Sequence, residues 1–195
     1  SQILSEFNNS SFNNVNLSLV IDEKNNENTI LTTLVYLNLK KSAIYFISKI
    51  KILLNNEDIF KEYLNKKNSK GYNALLYSAF RGNSEIFDSL MSNGADINSS
   101  NSFGLNSLHL ASQGNFPNII VYLIEKYNFD INQKDKNGNS ALHWAVCTAS
   151  REALDYLIYY KIDIYLRDND NETALGIAKN LGNSDIIQRL SVLYK

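Results

Sequence analysis

Apolar residues along most of this chain fall in pairs of short, helix-length stretches rather than in alternating or long continuous runs. In one such pair, Leu108, Leu110 and Ala111 are spaced as on one face of a helix, and residues 119–124 repeat that spacing after an interruption at Gly114. A glycine between two helical patterns indicates a turn. The pattern therefore predicts an all-α chain built from helix-turn-helix units.

The same unit recurs with a nearly constant period. Five-residue segments that end in leucine occur four times, at Gly71–Leu75, Gly104–Leu108, Gly138–Leu142 and Asn171–Leu175. Their leucines lie 33, 34 and 33 residues apart. A second motif recurs in phase with them, at residues 94–98, 128–132 and 161–164. Such a period predicts a solenoid, in which each unit buries its apolar face only by stacking on its neighbours.

These two motifs resemble those of the ankyrin-repeat family. The glycine, the leucine and the following histidine of the family motif are present at Gly104, Leu108 and His109, and Gly94–Asn98 matches the second family motif. The resemblance implies an ankyrin-repeat solenoid of helix-turn-helix repeats with β-hairpin fingers, with four clear repeats over residues 69–195. It also implies that His109 and His143 hydrogen-bond between adjacent hairpin loops.

Upstream of these repeats the pattern weakens. Residues 24–31 parallel residues 168–175, but Leu31 lies 44 residues before Leu75, which exceeds one period. We therefore expect residues 22–68 to form a divergent N-terminal capping repeat, with a first helix over residues 32–38, a second helix near 41–54 and an extra helix at 56–65. Residues 1–21 are rich in Asn and Ser and are expected to form a leader. The absence of an initiator Met indicates a piece of a larger protein.

Two repeats depart from the regular pattern. The turn at residues 148–150 lacks the glycine that usually supplies a positive φ between the helices, so we expect a distorted or lengthened turn there. The second repeat is one residue longer than its neighbours, and we place the extra residue near residues 127–129.

Composition and charge exclude several classes of protein. The net charge is −1, from 19 basic and 20 acidic residues, which gives no electrostatic footprint for nucleic acid. No apolar run is long enough to cross a bilayer. One cysteine excludes a disulfide framework or a multi-cysteine zinc site, and no glycine-rich loop fits a phosphate. We expect a cytoplasmic monomer that binds no nucleic acid, does not insert into a membrane and needs no metal or cofactor.

The sequence indicates no catalytic group. His143 and Cys147 are four residues apart on one helix and could act as a base and a thiol nucleophile, but the structural role of the histidine is favoured. The carboxylates of Asp135, Asp168 and Asp170 fall at the finger turns, where Asp commonly caps the backbone. We therefore expect that this chain is not an enzyme.

The resemblance implies that a partner binds the concave face formed by the fingers and the first helix of each repeat. Candidate partner-binding residues are finger residues and exposed positions of the first helices: Phe80, Arg81, Phe103, Gln113, Trp144, Thr148, Tyr165 and Asn180. Aromatic residues and Arg are the usual anchors of protein interfaces. We expect a protein-protein interaction module that binds a peptide or protein through its concave face and fingers.

Trp144 stands where the family usually has leucine, and its ring is too large to be wholly enclosed between stacked helices. We expect it to be partly exposed on the concave face, and Trp144→Leu to cost about 1 kcal/mol, as in volume-adjusting core swaps.

Residues 142–145, with residues 122–126, also resemble the ankyrin region of DHHC-type protein palmitoyltransferases. This resemblance implies an alternative, a substrate-recruiting region held at the cytosolic face of a membrane. A third hypothesis is a structural role in assembly through the solenoid ends.

Overall fold

A computed structural model of the chain describes residues 28–194. Within this range the chain forms eleven α-helices, one π-helical turn and three single antiparallel bridges, which confirms the predicted all-α repeat architecture. The helices are α1 (Ile30–Tyr36), α2 (Lys40–Leu54), α3 (Glu57–Asn65), α4 (Ala74–Phe80), α5 (Ser84–Ser92), α6 (Ser107–Gln113), α7 (Pro117–Val121), α8 (Ala141–Cys147), α9 (Arg151–Tyr159), α10 (Ala174–Asn180) and α11 (Ser184–Ser191).

Five helices of seven residues each, α1, α4, α6, α8 and α10, form the inner layer and stack in chain order. Four of them begin after a capping residue whose side chain accepts a backbone N–H of the first turn: Thr29, Asn73, Asn106 and Thr173. Six small residues of the inner helices are fully buried: Ser78, Ala79, Ala111, Ser112, Ala145 and Ala178. Small side chains at these contacts let neighbouring inner helices approach closely.

Each inner helix is joined to its outer helix by the same left-handed turn. One residue per turn has a positive φ, between 54° and 67°: Asn38, Gly82, Asn115, Ala149 and Gly182. The N–H of Ser150 donates to the carbonyl oxygen of Ala145 at 2.8 Å, as that of Asn83 donates to Ser78 at 3.0 Å. The predicted distortion at residues 148–150 is therefore wrong. Packing of the two helices fixes the turn, and an alanine is held in a conformation that usually needs glycine or asparagine.

The extra residue of the second repeat lies within its outer helix. Helix α7 continues directly into a π-helical turn, Tyr122–Lys126. A π-helical turn contains one more residue than an α-helical turn, so it accommodates an insertion while Leu123 stays fully buried. The insertion therefore lies a few residues before the position predicted from the spacing.

The helices of residues 30–65 follow the layout of a repeat with one addition. Helix α1 packs on α4 and helix α2 on α5, as inner and outer helices do elsewhere, and Asn38 supplies the same left-handed turn. Helix α2 has 15 residues where α5 has nine, and α3 follows it, which together account for the longer spacing. Helix α1 starts two residues before the predicted position because Thr29 caps it. The predicted leader, residues 1–21, lies outside the described residues.

The four fingers are residues 68–72, 101–105, 135–139 and 168–172, and each is closed by a backbone hydrogen bond from its first residue to its last. They are held by Asn or Asp side chains and by backbone hydrogen bonds between neighbours. In each finger one such side chain accepts two backbone N–H groups: those of Asn68, Asn101, Asp135 and Asp168. The N–H of Ser102 in the second finger donates to Lys70 O in the first at 3.0 Å. Gly71 has φ +77°, and a Cβ there would lie 2.5 Å from Ser102 N, so the close approach of these fingers requires glycine.

Replacing Ala149 with glycine should raise the free energy of unfolding. Relief of the left-handed conformation is worth roughly 1–2 kcal/mol, and the added entropy of the unfolded chain offsets about 0.5–1 kcal/mol of it. We expect a net gain of up to about 1 kcal/mol in urea unfolding.

Gly182→Ala is the matched control for this prediction. Gly182 has φ +67° and no atom within 4 Å of an added Cβ, so alanine there introduces only backbone strain. It should lower the free energy of unfolding by about 1 kcal/mol. Unchanged unfolding midpoints for both variants would show that alanine in this turn is not strained.

Candidate functional site

A cavity of about 630 Å³ opens at the N-terminal end of the concave side, between the first inner helices and the first fingers. Five aromatic side chains line it: Tyr36, Tyr72, Tyr77, Phe80 and Phe103. Its polar lining residues are Asn28, Thr33, Asn68, Ser69 and Lys70. We call it the aromatic cavity. Its volume is in the range of sites that bind ligands or side chains.

The repeat geometry explains why these residues meet. Thr33 and Tyr77 are the fourth residues of α1 and α4, and Tyr36 and Phe80 are the last. Because α1 and α4 stack side by side, equivalent positions become neighbours. Phe103 reaches the cavity from the tip of the second finger and is 59% exposed.

Tyr77 organises the aromatic wall. Its ring stacks on Tyr72 with centroids 4.9 Å apart and meets Tyr36 edge-on at 5.2 Å. Its hydroxyl accepts a hydrogen bond from Asn68 Nδ2 at 3.0 Å. Burial raises the pKa of Tyr77, so the phenol stays neutral. The wall is therefore a rigid, uncharged aromatic surface.

Two cations border this wall. Arg81 Nε donates to the backbone oxygen of Tyr36 at 2.7 Å, and the guanidinium lies 5.0 Å from the centre of the Tyr36 ring. Lys70 lines the cavity itself and is exposed. Among the described residues neither cation has a carboxylate within ion-pair distance.

The structure brings together only part of the predicted site. Phe80 and Phe103 line the aromatic cavity, and Arg81 contacts Tyr36 beside it. The predicted residues Gln113 and Thr148 lie further along the concave side. Gln113 O accepts a hydrogen bond from Ser150 Oγ at 3.2 Å, and Thr148 Oγ1 donates to Trp144 O at 2.9 Å.

The last two predicted residues lie at the C-terminal end of the solenoid. Asn180 Nδ2 donates to the carboxylate of Glu172 at 2.9 Å. Tyr165 is 56% exposed, and its ring meets that of Tyr194 edge-on at 4.9 Å. The binding role of the eight predicted residues stays a prediction.

Trp144 is partly exposed, as its size predicts, but its indole is also hydrogen-bonded. Nε1 donates to Asp135 Oδ2 at 2.9 Å, and Asp135 is only 8% exposed. Trp144 is the fourth residue of α8 and therefore occupies the position of Tyr77 in α4. In both repeats the polar atom of this aromatic residue binds the Asn or Asp that closes the finger.

The second repeat shows what this hydrogen bond does. Leu110 occupies the equivalent position there, and the buried Asn101 Nδ2 of the finger has no hydrogen-bond partner among the described residues. Removing the indole of Trp144 would likewise deprive the Asp135 carboxylate of a donor. Trp144→Leu should therefore cost more than a volume change alone would. Trp144, which is part of the segment that resembles palmitoyltransferase repeats, therefore has a structural role in this chain. The alternative function, recruitment of a palmitoyltransferase substrate, stays a prediction.

Sequence reasoning missed Tyr36, Tyr72 and Tyr77, which form most of the aromatic wall. A signal was present for two of them. Tyr36 occupies in α1 the position of Phe80 in α4, and Tyr77 occupies the position of Trp144. Nothing in the spacing marked Tyr72, which precedes the capping residue Asn73.

The two histidines join adjacent fingers, as the family resemblance implied. His143 Nδ1 accepts the backbone N–H of Ser140 at 3.1 Å, and Nε2 donates to Glu172 O at 3.2 Å. His109 Nδ1 accepts the N–H of Asn106, and Nε2 donates to Asn139 O. Burial lowers the pKa of both histidines, so the neutral form is favoured.

Cys147 is exposed at the end of α8. Its pKa is raised, first by desolvation and second by the nearby charge of Asp168. A thiol nucleophile needs a lowered pKa, so this environment opposes catalysis. In residues 28–194 no three His, Cys, Asp or Glu side chains are grouped to hold a metal ion. None of the helices in that range has the length and apolar character to cross a bilayer.

Comparison with known proteins supports the repeat architecture. Residues 77–168 match the family model of ankyrin repeats in three copies. An ankyrin repeat protein of Rickettsia bellii (strain RML369-C) is 28% identical over 168 residues, which cover 86% of this chain and 90% of that protein.

Other relatives match over shorter segments of much longer proteins. Alpha-latrotoxin-Lhe1a of Latrodectus hesperus is 39% identical over 84 residues, which cover 43% of this chain and 6% of the toxin. The L-asparaginase of Dirofilaria immitis is 32% identical over 124 residues, which cover 63% of this chain and 21% of the enzyme. This chain therefore resembles a small part of each of these two proteins.

The histidines make stability depend on pH. Protonation at Nδ1 would place an N–H against the N–H donor of Asn106 or Ser140, so the folded state binds these protons less readily than the unfolded chain. The free energy of unfolding should therefore be highest above a pH of about 6.5, the pKa of histidine in the unfolded chain. It should fall as the pH is lowered through that value. Urea unfolding at about pH 7.5 and about pH 5.5, on either side of that pKa, measures the change.

The first repeat supplies the control, because Leu76 occupies the position of the two histidines. A variant with both His109→Leu and His143→Leu should show a much weaker dependence on pH over this interval. An equal loss of stability in the variant would assign the effect to other groups.

The hydrogen bond between Trp144 and Asp135 can be tested by substitutions that introduce the Asn and Tyr pair of the first repeat. Asp135→Asn should turn an amide donor toward the indole N–H and lower the free energy of unfolding by about 1–3 kcal/mol. Adding Trp144→Tyr recreates the pairing of Asn68 with Tyr77 and should recover part of that loss. A double-mutant cycle measured by urea unfolding gives the coupling.

Asp168→Asn is the matched control for this cycle. Asp168 accepts the same two backbone N–H groups in its finger, but the fourth residue of α10 is Ile177, which has no donor. The control should therefore cost less than Asp135→Asn. Equal costs at the two positions would contradict the role assigned to the indole.

Proposed function

Because this chain belongs to the ankyrin-repeat family, whose repeats generally mediate protein-protein interaction, we propose that it is a protein-binding module that holds its partner on the concave face. The aromatic cavity is the observation that carries this proposal. It combines five aromatic side chains with polar groups at its edge, which is the composition of an interface anchor site.

The rigidity of the scaffold supports the same function. Stacked inner helices fix Tyr36, Tyr77 and Phe80, and backbone hydrogen bonds between fingers fix the approach of Phe103. A surface that is already ordered loses little conformational entropy when a partner binds. The cavity therefore offers pre-arranged contacts rather than contacts formed on binding.

The proposal extends to the rest of the concave side and to the organisation of the chain. Residues from Gln113 to Asn180, including Trp144, Thr148 and Tyr165, would contact the partner beyond the aromatic cavity. Residues 22–68 would form the divergent cap of the solenoid and residues 69–195 its four repeats. The module would act as a monomer in the cytoplasm without catalytic activity or a cofactor.

A ligand selected from a random peptide library on the folded protein should depend on the aromatic cavity. Phe103→Ala removes a ring that is 59% exposed, so the fold should be kept while the affinity falls about tenfold or more, as for an interface anchor. Isothermal titration calorimetry measures the affinity.

Tyr159→Ala is the matched control, since this residue is 74% exposed on the outer helix α9. It should leave the affinity unchanged. Ligands that respond to Tyr159→Ala and not to Phe103→Ala would place the binding surface on the convex side and contradict the proposal.

A further inference from the structure

The charges around the concave side are distributed unevenly along the solenoid. Residues 28–56, 63–84 and 97–124 contain no Asp or Glu. These ranges supply α1, the first finger, α4, the second finger and α6. Among the described residues, the N-terminal part of the concave side is therefore built from segments without a carboxylate side chain.

Three basic residues of this part lie in the lining of the aromatic cavity or beside the residues that form it. Lys70 lines it, Arg81 contacts Tyr36, and Lys67 Nζ donates to Ser100 O at 2.8 Å beside the first two fingers. None of the three has an ion-pair partner among the described residues. Their positive charge is thus available to a ligand.

The C-terminal part of the concave side contains carboxylates as well as cations. In the third finger Asp135 is flanked by two lysines, whereas the fourth finger contains Asp168, Asp170 and Glu172 beside one arginine. The carboxylates of the fourth finger would oppose an acidic ligand. The charge distribution therefore favours the N-terminal part as the position of such a ligand.

Five aromatic rings around one cavity could also suggest a cage for a cation such as a methylated lysine. The local charges oppose this. Lys70 lines the cavity, Arg81 already lies over the Tyr36 ring, and the surrounding segments supply no carboxylate to balance a third cation. A neutral aromatic side chain fits better, because its ring can pack edge-to-face with the tyrosines.

We propose that the N-terminal part of the concave face binds an extended acidic peptide segment, with one aromatic side chain of the peptide in the aromatic cavity and its carboxylates beside Lys70 and Arg81. This proposal rests on the proposed function and specifies the chemistry of its partner. The exposed hydroxyl groups of Ser69 and Thr33 at the cavity are placed to hydrogen-bond the peptide backbone. The aromatic side chain supplies the anchor, and the carboxylates supply the selection for charge.

Three labelled synthetic peptides test the proposal by fluorescence polarisation. The first has a phenylalanine flanked by Asp and Glu, the second replaces that phenylalanine with alanine, and the third replaces the acidic flanks with lysine. We expect the first peptide to bind at least about tenfold more tightly than either of the others, as for loss of an interface anchor or of complementary charge. We also expect its affinity to fall as salt is added.

Two charge reversals on the protein form a matched pair. Lys70→Glu places a carboxylate at the aromatic cavity, whereas Lys179→Glu changes an exposed lysine of α10 at the other end of the inner layer. Lys70→Glu should weaken the acidic peptide by at least about tenfold and Lys179→Glu should not. Thermal unfolding of both variants confirms that they are folded. Equal binding of the acidic and lysine-flanked peptides, or no effect of Lys70→Glu, overturns the proposal.

Failure of this proposal is distinguishable from failure of the proposed function. Library-selected ligands that lose affinity with Phe103→Ala, yet are basic or have no aromatic residue, would overturn the acidic-peptide proposal and leave a concave binding face. Ligands that are insensitive to Phe103→Ala would overturn both. Acidic ligands with an essential aromatic residue, sensitive to both Phe103→Ala and Lys70→Glu, support both.

Discussion

Close stacking of the five inner helices is the constraint on which the rest of the structure depends. A helix pair of this size cannot bury its apolar face alone, so each repeat is stable only against its neighbours. Small residues such as Ala79, Ala111 and Ala145 set the distance between helices. Local features then adapt to this distance. Ala149 accepts a left-handed conformation, and an inserted residue is accommodated as a π-helical turn, because either change costs less than a shift in the stack.

The fingers depend on the inner helices through one recurring side-chain position. In the first and third repeats the fourth residue of the inner helix hydrogen-bonds the Asn or Asp that closes the finger, and the donor and acceptor groups are matched. Asn68 donates to the Tyr77 hydroxyl, whereas Asp135 accepts from the indole of Trp144. Aromatic residues at this position therefore contribute both to the concave surface and to the rigidity of the finger beside it.

The concave side is specialised toward its N-terminal end. There helix α1 contributes Tyr36 at the position that Phe80 has in α4, and the first two fingers add Tyr72 and Phe103. The same segments contain no carboxylate, so the aromatic surface is bordered by Lys70 and Arg81. Regular repeats further along supply the stacking surface that holds this end in place.

The spacing of residues established the repeat period and the helix-turn-helix units, because periodicity records which face of each helix is buried and where each turn falls. The family resemblance supplied the histidines that link the fingers and pointed to two residues of the aromatic cavity, Phe80 and Phe103. Contacts between side chains of different repeats depend on tertiary packing. Tyr36, Tyr77 and Phe103 are far apart in the chain, and their contact depends on how α1 stacks on α4. The bond from Trp144 to Asp135 and the conformation of Ala149 likewise follow from packing distances, which no local pattern of residues encodes.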